Sequence, residues 1–119
     1  MQKPKVFIVE DSKEWREVWD KILSKRVTLL LADTLQEAQN IFDREYDIAL
    51  IAMDACVPGS IPTTPPLVQK IRKTFLGPII AISSDPTYNK ELILAGCDHE
   101  CSKEELGSFI SKFLELPAV

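Results

Sequence analysis

The chain has 119 residues, 45% of them hydrophobic and 27% charged, which suits one globular domain and excludes the disordered, collagenous and fibrous classes. Its formal net charge of −4 repels phosphate backbones and anionic bilayers, so neither nucleic acid nor a membrane is expected as a partner. No apolar stretch approaches the ~18 residues of a membrane span, and Cys56, Cys97 and Cys101 have no CxxC spacing; the expectation is a cytoplasmic protein in a reducing compartment, one domain over residues 1–119 without an output domain.

Lys5 to Val9 is a short apolar run that stops at Glu10-Asp11 and predicts a first strand. Trp15, Val18, Trp19, Ile22 and Leu23 then recur at i, i+3, i+4, i+7, i+8, which places all five on one helix face and predicts that the face is buried. Asp11 and Ser12 are both candidate caps for this helix. Val27 to Leu31 predicts a second strand. Thr34-Leu35-Gln36-Glu37 has the form of a capping box and starts a helix running to about Arg44. Ile48 to Met53 is apolar without alternation, as in a central strand covered on both faces, and it ends at Asp54. Pro58-Gly59 opens a stiffened loop carrying Pro62, Pro65 and Pro66, before a helix with the face Leu67, Val68, Ile71. The basic cluster Lys70, Arg72, Lys73 reads as the solvated side of that helix.

Pro78 to Ile82 predicts the fourth strand, and a helix follows over about Thr87 to Ala95, with Gly96 where a left-handed C-terminal residue belongs. Cys97 to Cys101 predicts the fifth strand. Ser102-Lys103-Glu104-Glu105 is a second capping box, and Leu106, Phe109, Ile110, Phe113 and Leu114 repeat the helical spacing. Five strands alternating with five helices imply parallel βα units with right-handed crossovers, hence an α/β, open, doubly wound sheet. Ligands of such sheets bind beyond the carboxyl ends of the strands, at the switch point.

Glu10, Asp11, Asp54, Ser83 and Lys103 all fall just after predicted strands, at that edge. Two carboxylates about 5 Å apart at an effective dielectric near 20 repel by about 3 kcal/mol, so a cluster of three requires a cation. Oxygen donors suit Mg²⁺, which takes one or two carboxylates and keeps waters and phosphate oxygens. With the ion bound, Asp54, ending the most buried strand, is the candidate nucleophile toward a phosphoryl group. The loop after it can lend a main-chain carbonyl to the ion. Lys103 would neutralise a phosphoryl oxygen, and the Ser83 hydroxyl would donate to another. Taken singly these residues are ordinary caps and solvated charges; their joint placement carries the reading. Cys97, His99 and Cys101 have the spacing of a soft-metal triplet, but on an extended strand the two cysteines stand about 13 Å apart, too far for one ion.

Phe7-Ile8-Val9-Glu10-Asp11-Ser12, Asp54 to Gly59, Pro78 to Ser84 and Ala95 to Lys103 resemble, in order and over nearly the whole chain, receiver domains of two-component response regulators. The resemblance implies a CheY-like, flavodoxin-like sheet of order 2-1-3-4-5. It implies Asp54 as phospho-acceptor, with Mg²⁺ (or Mn²⁺) held directly by Asp11, Asp54 and the Cys56 carbonyl and through water by Glu10. Ser83 and Lys103 would contact the phosphoryl group. It implies a histidine kinase or histidine phosphotransfer protein as donor, a role either as a switch that binds a downstream protein target or as a relay that passes the phosphoryl group on, and at most self-phosphorylation and self-dephosphorylation as enzymatic activity. His99 is no substitute donor. The chain departs from the family pattern at Glu104, where Pro usually follows the lysine, at Glu100, where an aromatic usually stands, at Pro62, where Gly is common, and at Glu10, which replaces Asp. Asp85 and Cys56, two residues beyond Ser83 and Asp54, are positioned to influence water access to an aspartyl phosphate. The alternatives are a receiver-shaped scaffold that works without phosphorylation, and a Mg²⁺-dependent aspartyl phosphohydrolase, which usually carries Asp-x-Asp after its first strand.

Overall fold

The computed structural model describes residues 2–117. Strands β1 (Lys5–Val9), β2 (Thr28–Ala32), β3 (Ile48–Met53), β4 (Ile79–Ala81) and β5 (His99–Glu100) alternate with helices α1 (Lys13–Leu23), α2 (Leu35–Arg44), α3 (Pro65–Arg72), α4 (Pro86–Ala95) and α5 (Leu106–Phe113). The strands are all parallel and lie in the order β2-β1-β3-β4-β5, with β3 in the centre.

Because side chains alternate along a strand, the sheet has two apolar faces. Phe7, Val9, Ile51, Met53, Ile79 and Ala81 point to one face, where they pack with Ala38 and Ile41 of α2, Val68 and Ile71 of α3 and Leu92 of α4. Val6, Ile8, Leu50, Ala52, Ile80 and Ile82 point to the other, against Trp19 and Leu23 of α1 and Leu106 and Ile110 of α5.

Several expectations shift in detail. The N–H of Val27 bonds to the carbonyl of Leu23, so this residue closes the end of α1 and β2 begins one residue later. Strand β5 shrinks to two residues because the Cys97 N–H closes α4 on the Leu92 carbonyl. Val18 and Ile22 of α1 are 43% exposed, so the periodic face is wider than the surface that α5 and the sheet cover. Both capping boxes are one-sided. Thr34 Oγ1 accepts from Glu37 N–H and Ser102 Oγ from Glu105 N–H, but Glu105 bonds the Ser102 hydroxyl rather than its amide, and α5 proper starts only at Leu106. Gly96 ends α4 at φ +138°, a conformation that glycine adopts freely.

Candidate functional site

Register places the strand ends at one level. Val9 lies beside Met53, Met53 beside Ala81, and Ala81 beside Glu100, so the residues that follow each strand emerge along one edge. Past β1 the chain turns into α1 on one face, and past β3 into α3 on the other. The two loops therefore diverge and leave a crevice where the strand order reverses. All six residues expected at the site, Glu10, Asp11, Asp54, Cys56, Ser83 and Lys103, line this cleft of about 400 Å³.

Glu10, Asp11 and Asp54 each offer a carboxylate oxygen within 4.8 Å of the others. Asp11 does not cap α1; its Oδ2 accepts from Gly59 N–H at 3.0 Å, which draws the loop after β3 over the cleft. Gly59 has φ +91°, the left-handed conformation that this turn demands of a glycine. The cap is Ser12, whose Oγ accepts from Trp15 N–H. Asp54 is held through Ala55 N–H on Oδ1 at 2.9 Å, and its Oδ2 lies 3.5 Å from Lys103 Nζ. Lys103 Nζ is 2.8 Å from Glu10 Oε1. Glu10 is fully buried, and this ammonium is the charged partner of its Oε1.

Charge is scarce relative to the acids. Burial pushes the Glu10 carboxyl up to about 7; the Lys103 ammonium opposes the shift and the Asp54 charge adds to it. Burial also raises Asp54 above the usual carboxylate range, against the pull of Lys103 and the Ala55 N–H. Burial works against the Lys103 ammonium too, but Glu10 and Asp54 outweigh it and its pKa ends above the ordinary lysine value. One lysine thus faces three carboxylates, each ionised pair of which repels by about 3 kcal/mol at an effective dielectric near 20. Three carboxylates whose oxygens lie within 4.8 Å of one another are a set of hard oxygen donors that fits a hard divalent cation. The Cys56 side chain takes no part: burial first, then the charges of Asp54, Asp11 and Asp85, raise its thiol, so it stays protonated.

Three supports carry no sequence signature. Thr64, fully buried, donates from Oγ1 to the Asp54 carbonyl at 2.7 Å, while Thr63 Oγ1 both accepts from Val57 N–H and donates to the Val57 carbonyl; together they fix the loop from Asp54 to Val57. Trp19 Nε1 donates to the Lys103 carbonyl at 3.3 Å, so one residue of the apolar face of α1 also anchors the lysine. Asn89 of α4 bonds both main-chain groups of Ser83. A polar side chain turned inward looks, in sequence, like one turned outward, and none of these residues interrupts a periodic pattern.

Residues set aside on sequence grounds have structural places. Cys97 packs in the layer of α2, α3 and α4, and Cys101 in the layer of α1 and α5. Burial lifts their thiols to about 12 and about 11. His99 lies against Phe109 and Phe113, with ring centroids 5.6 Å from both. Arg72 is not a solvated charge as expected: its guanidinium bonds the carbonyls of Phe75, Gly77 and Gly96 and the Asp98 carboxylate, tying α3 to the end of α4. Asp85 caps α4 through Thr87 N–H at 2.9 Å while lining the cleft. The cis peptide among the described residues is Val57–Pro58.

No protein-family model matches the sequence, and no curated protein matches it significantly. Solved structures match closely in shape. A two-component response regulator from Clostridium difficile superposes with a TM-score of 0.80 at 19% identity, covering 95% of this chain and 97% of its own. A signal receiver domain of an HD domain-containing protein from Pseudomonas fluorescens gives 0.78 at 20% identity, covering 96% of both chains. A chemotaxis response regulator of Vibrio cholerae gives 0.77 at 20% identity, covering 96% of this chain and 98% of its own.

Proposed function

We propose that this chain, which has the response-regulator receiver, CheY-like fold, is a phosphorylation-controlled signalling domain whose phospho-acceptor is Asp54. The observation that carries the reading is the meeting of Glu10, Asp11, Asp54, Ser83 and Lys103 in one cleft at the switch point of the sheet, with three carboxylate oxygens within 4.8 Å of one another. Asp11, Asp54 and the Cys56 carbonyl would hold Mg²⁺, with Glu10 acting through water; Mn²⁺ has the same preference for oxygen donors. When bound, the ion supplies the positive charge that keeps the carboxylates ionised and screens them from an incoming phosphoryl group.

The chain's own residues do the rest. An Asp54 oxygen attacks phosphorus in line while the bond from phosphorus to the donor's imidazole nitrogen breaks. The electron pair of that bond stays on the nitrogen, and an aspartyl phosphate remains on Asp54. Lys103, already 3.5 Å from the Asp54 carboxylate, neutralises one phosphoryl oxygen, and the Ser83 hydroxyl donates to another. The donor histidine belongs to a histidine kinase or histidine phosphotransfer protein, since His99 is packed on α5 and does not line the cleft. Later attack by water on phosphorus releases inorganic phosphate and restores Asp54. The two states differ in affinity for a downstream protein.

The test is intact-mass measurement after incubation with Mg²⁺ and acetyl phosphate. One phosphoryl group is expected on the wild type, and none on Asp54→Ala or in the presence of a chelator. An unmodified wild type that also fails to bind Mg²⁺ would favour a scaffold that works without phosphorylation.

A further inference from the structure

Residue 100, where receivers commonly carry an aromatic, is an exposed glutamate here, which leaves open how a change at Ser83 reaches the rest of the molecule. Ser83 is bound to α4 at three atoms. Its amide donates to Asn89 Oδ1 at 2.8 Å, its carbonyl accepts from Asn89 Nδ2 at 2.9 Å, and its Oγ accepts from Asp85 N–H at 3.1 Å. Asn89 lies in the first turn of α4 and is only 6% exposed, so its amide spends both polar atoms on one residue in a low-dielectric site, where such bonds are strong and costly to break.

The surroundings leave room for movement. Next to the phosphoryl cleft, Ser83, Ser84, Pro86, Asn89, Glu100 and Cys101 line a second groove of about 530 Å³. Ser83 and Lys103 line both cavities. A hydroxyl has one proton to donate and two lone pairs, so Ser83 Oγ can donate to a phosphoryl oxygen while it still accepts from Asp85. Displacement of Ser83 toward the phosphoryl group then draws Asn89 and Asp85 with it.

We infer that Asn89 is the positioning residue that couples Ser83 to α4, so that phosphorylation of Asp54 is transmitted as a shift of the whole helix Pro86–Ala95 into or out of the neighbouring groove. This rests on the functional reading above. Helix α4 is the moving element and the Ser83–Asn89 pair is its handle.

Hydrogen exchange measured by mass spectrometry on peptides covering α4, with and without acetyl phosphate and Mg²⁺, tests the inference, with phosphate occupancy read on the same samples. In the wild type, exchange in α4 is expected to change about threefold or more on phosphorylation. In Asn89→Ala at equal occupancy that change is expected to fall to about a third or less. A merely structural role would lower stability and leave the response of α4 intact, so a full response in phosphorylated Asn89→Ala overturns the inference. A phosphorylated wild type with unchanged α4 also overturns it. If Asn89→Ala does not fold, Asn89→Asp carries the same comparison, because it keeps the acceptor for the Ser83 amide and loses the donor to the Ser83 carbonyl. A wild type that takes no phosphate at all contradicts the functional reading itself, and this inference with it.

Discussion

Glu10 is the residue whose chemistry depends most on what its neighbours do. In the metal-free protein burial raises its carboxyl from 4.5 to about 7, so the fold favours the protonated form. The stability this contributes is fully present below the unfolded value and is lost as pH rises through the folded one. Without divalent cations the thermal midpoint is therefore expected to fall between pH 5 and pH 7.5, by the equivalent of up to about 3 kcal/mol. Glu10→Gln should flatten most of that slope, and added Mg²⁺ should restore stability at pH 7.5 far more than at pH 5. Parallel profiles for the two proteins would contradict this assignment. The types of residue at the site were legible in sequence because acids, a hydroxyl and a lysine after strands are unusual in combination. Their partners were not. Nothing about Thr64, Asn89 or the indole N–H of Trp19 distinguishes in sequence a buried hydrogen bond from a solvated one, and Asp11 and Ser12 were equally good caps until the fold gave the cap to Ser12 and turned Asp11 to Gly59.

Elements do the positioning. Lys103 lies in the turn between β5 and α5, followed by Glu104, and its carbonyl is held by Trp19 of α1. Trp19→Phe keeps most of the apolar contact and loses the bond, so a loss of about 1 kcal/mol in denaturant unfolding is expected. Phosphorylation by acetyl phosphate should slow along with it; a rate equal to wild type would show that the lysine is positioned without the indole. At the other end of α4, Gly96 has φ +138° and a Cβ there would stand 3.3 Å from the Arg72 side chain. Gly96→Ala should cost about 1–2 kcal/mol of unfolding free energy, read from the denaturant midpoint, through the positive φ and the crowding of the arginine that ties α3 to α4. Continuous apolar runs stopped by an acid were the readable elements: β1 and β3 have their expected bounds, ending just before Glu10 and Asp54. Strand β5 starts two residues late because the close of α4 and the Asp98 side chain, which accepts from Ile79 N–H, take up groups that a longer ladder would use. Val18 and Ile22 show the limit of periodicity, which says that a face is apolar but not how much of it a neighbour covers.

At the scale of the molecule, the alternation of strands and helices and the uninterrupted apolar run of β3 led to the doubly wound sheet, and the observed order β2-β1-β3-β4-β5 agrees with it. The sheet brings residues separated by up to about ninety positions in the chain to one edge, and it is this edge, rather than any single residue, that gives Asp54 its proposed role. Neighbouring solved structures share that frame at about one residue in five, so the chemistry has to be measured on this chain. The most direct measurement is borohydride reduction after incubation with acetyl phosphate, which converts an aspartyl phosphate to homoserine and marks the modified position in a peptide map. Conversion is expected at Asp54 alone and only when Mg²⁺ is present. Conversion at another aspartate, or none in the metal-loaded wild type, would contradict it.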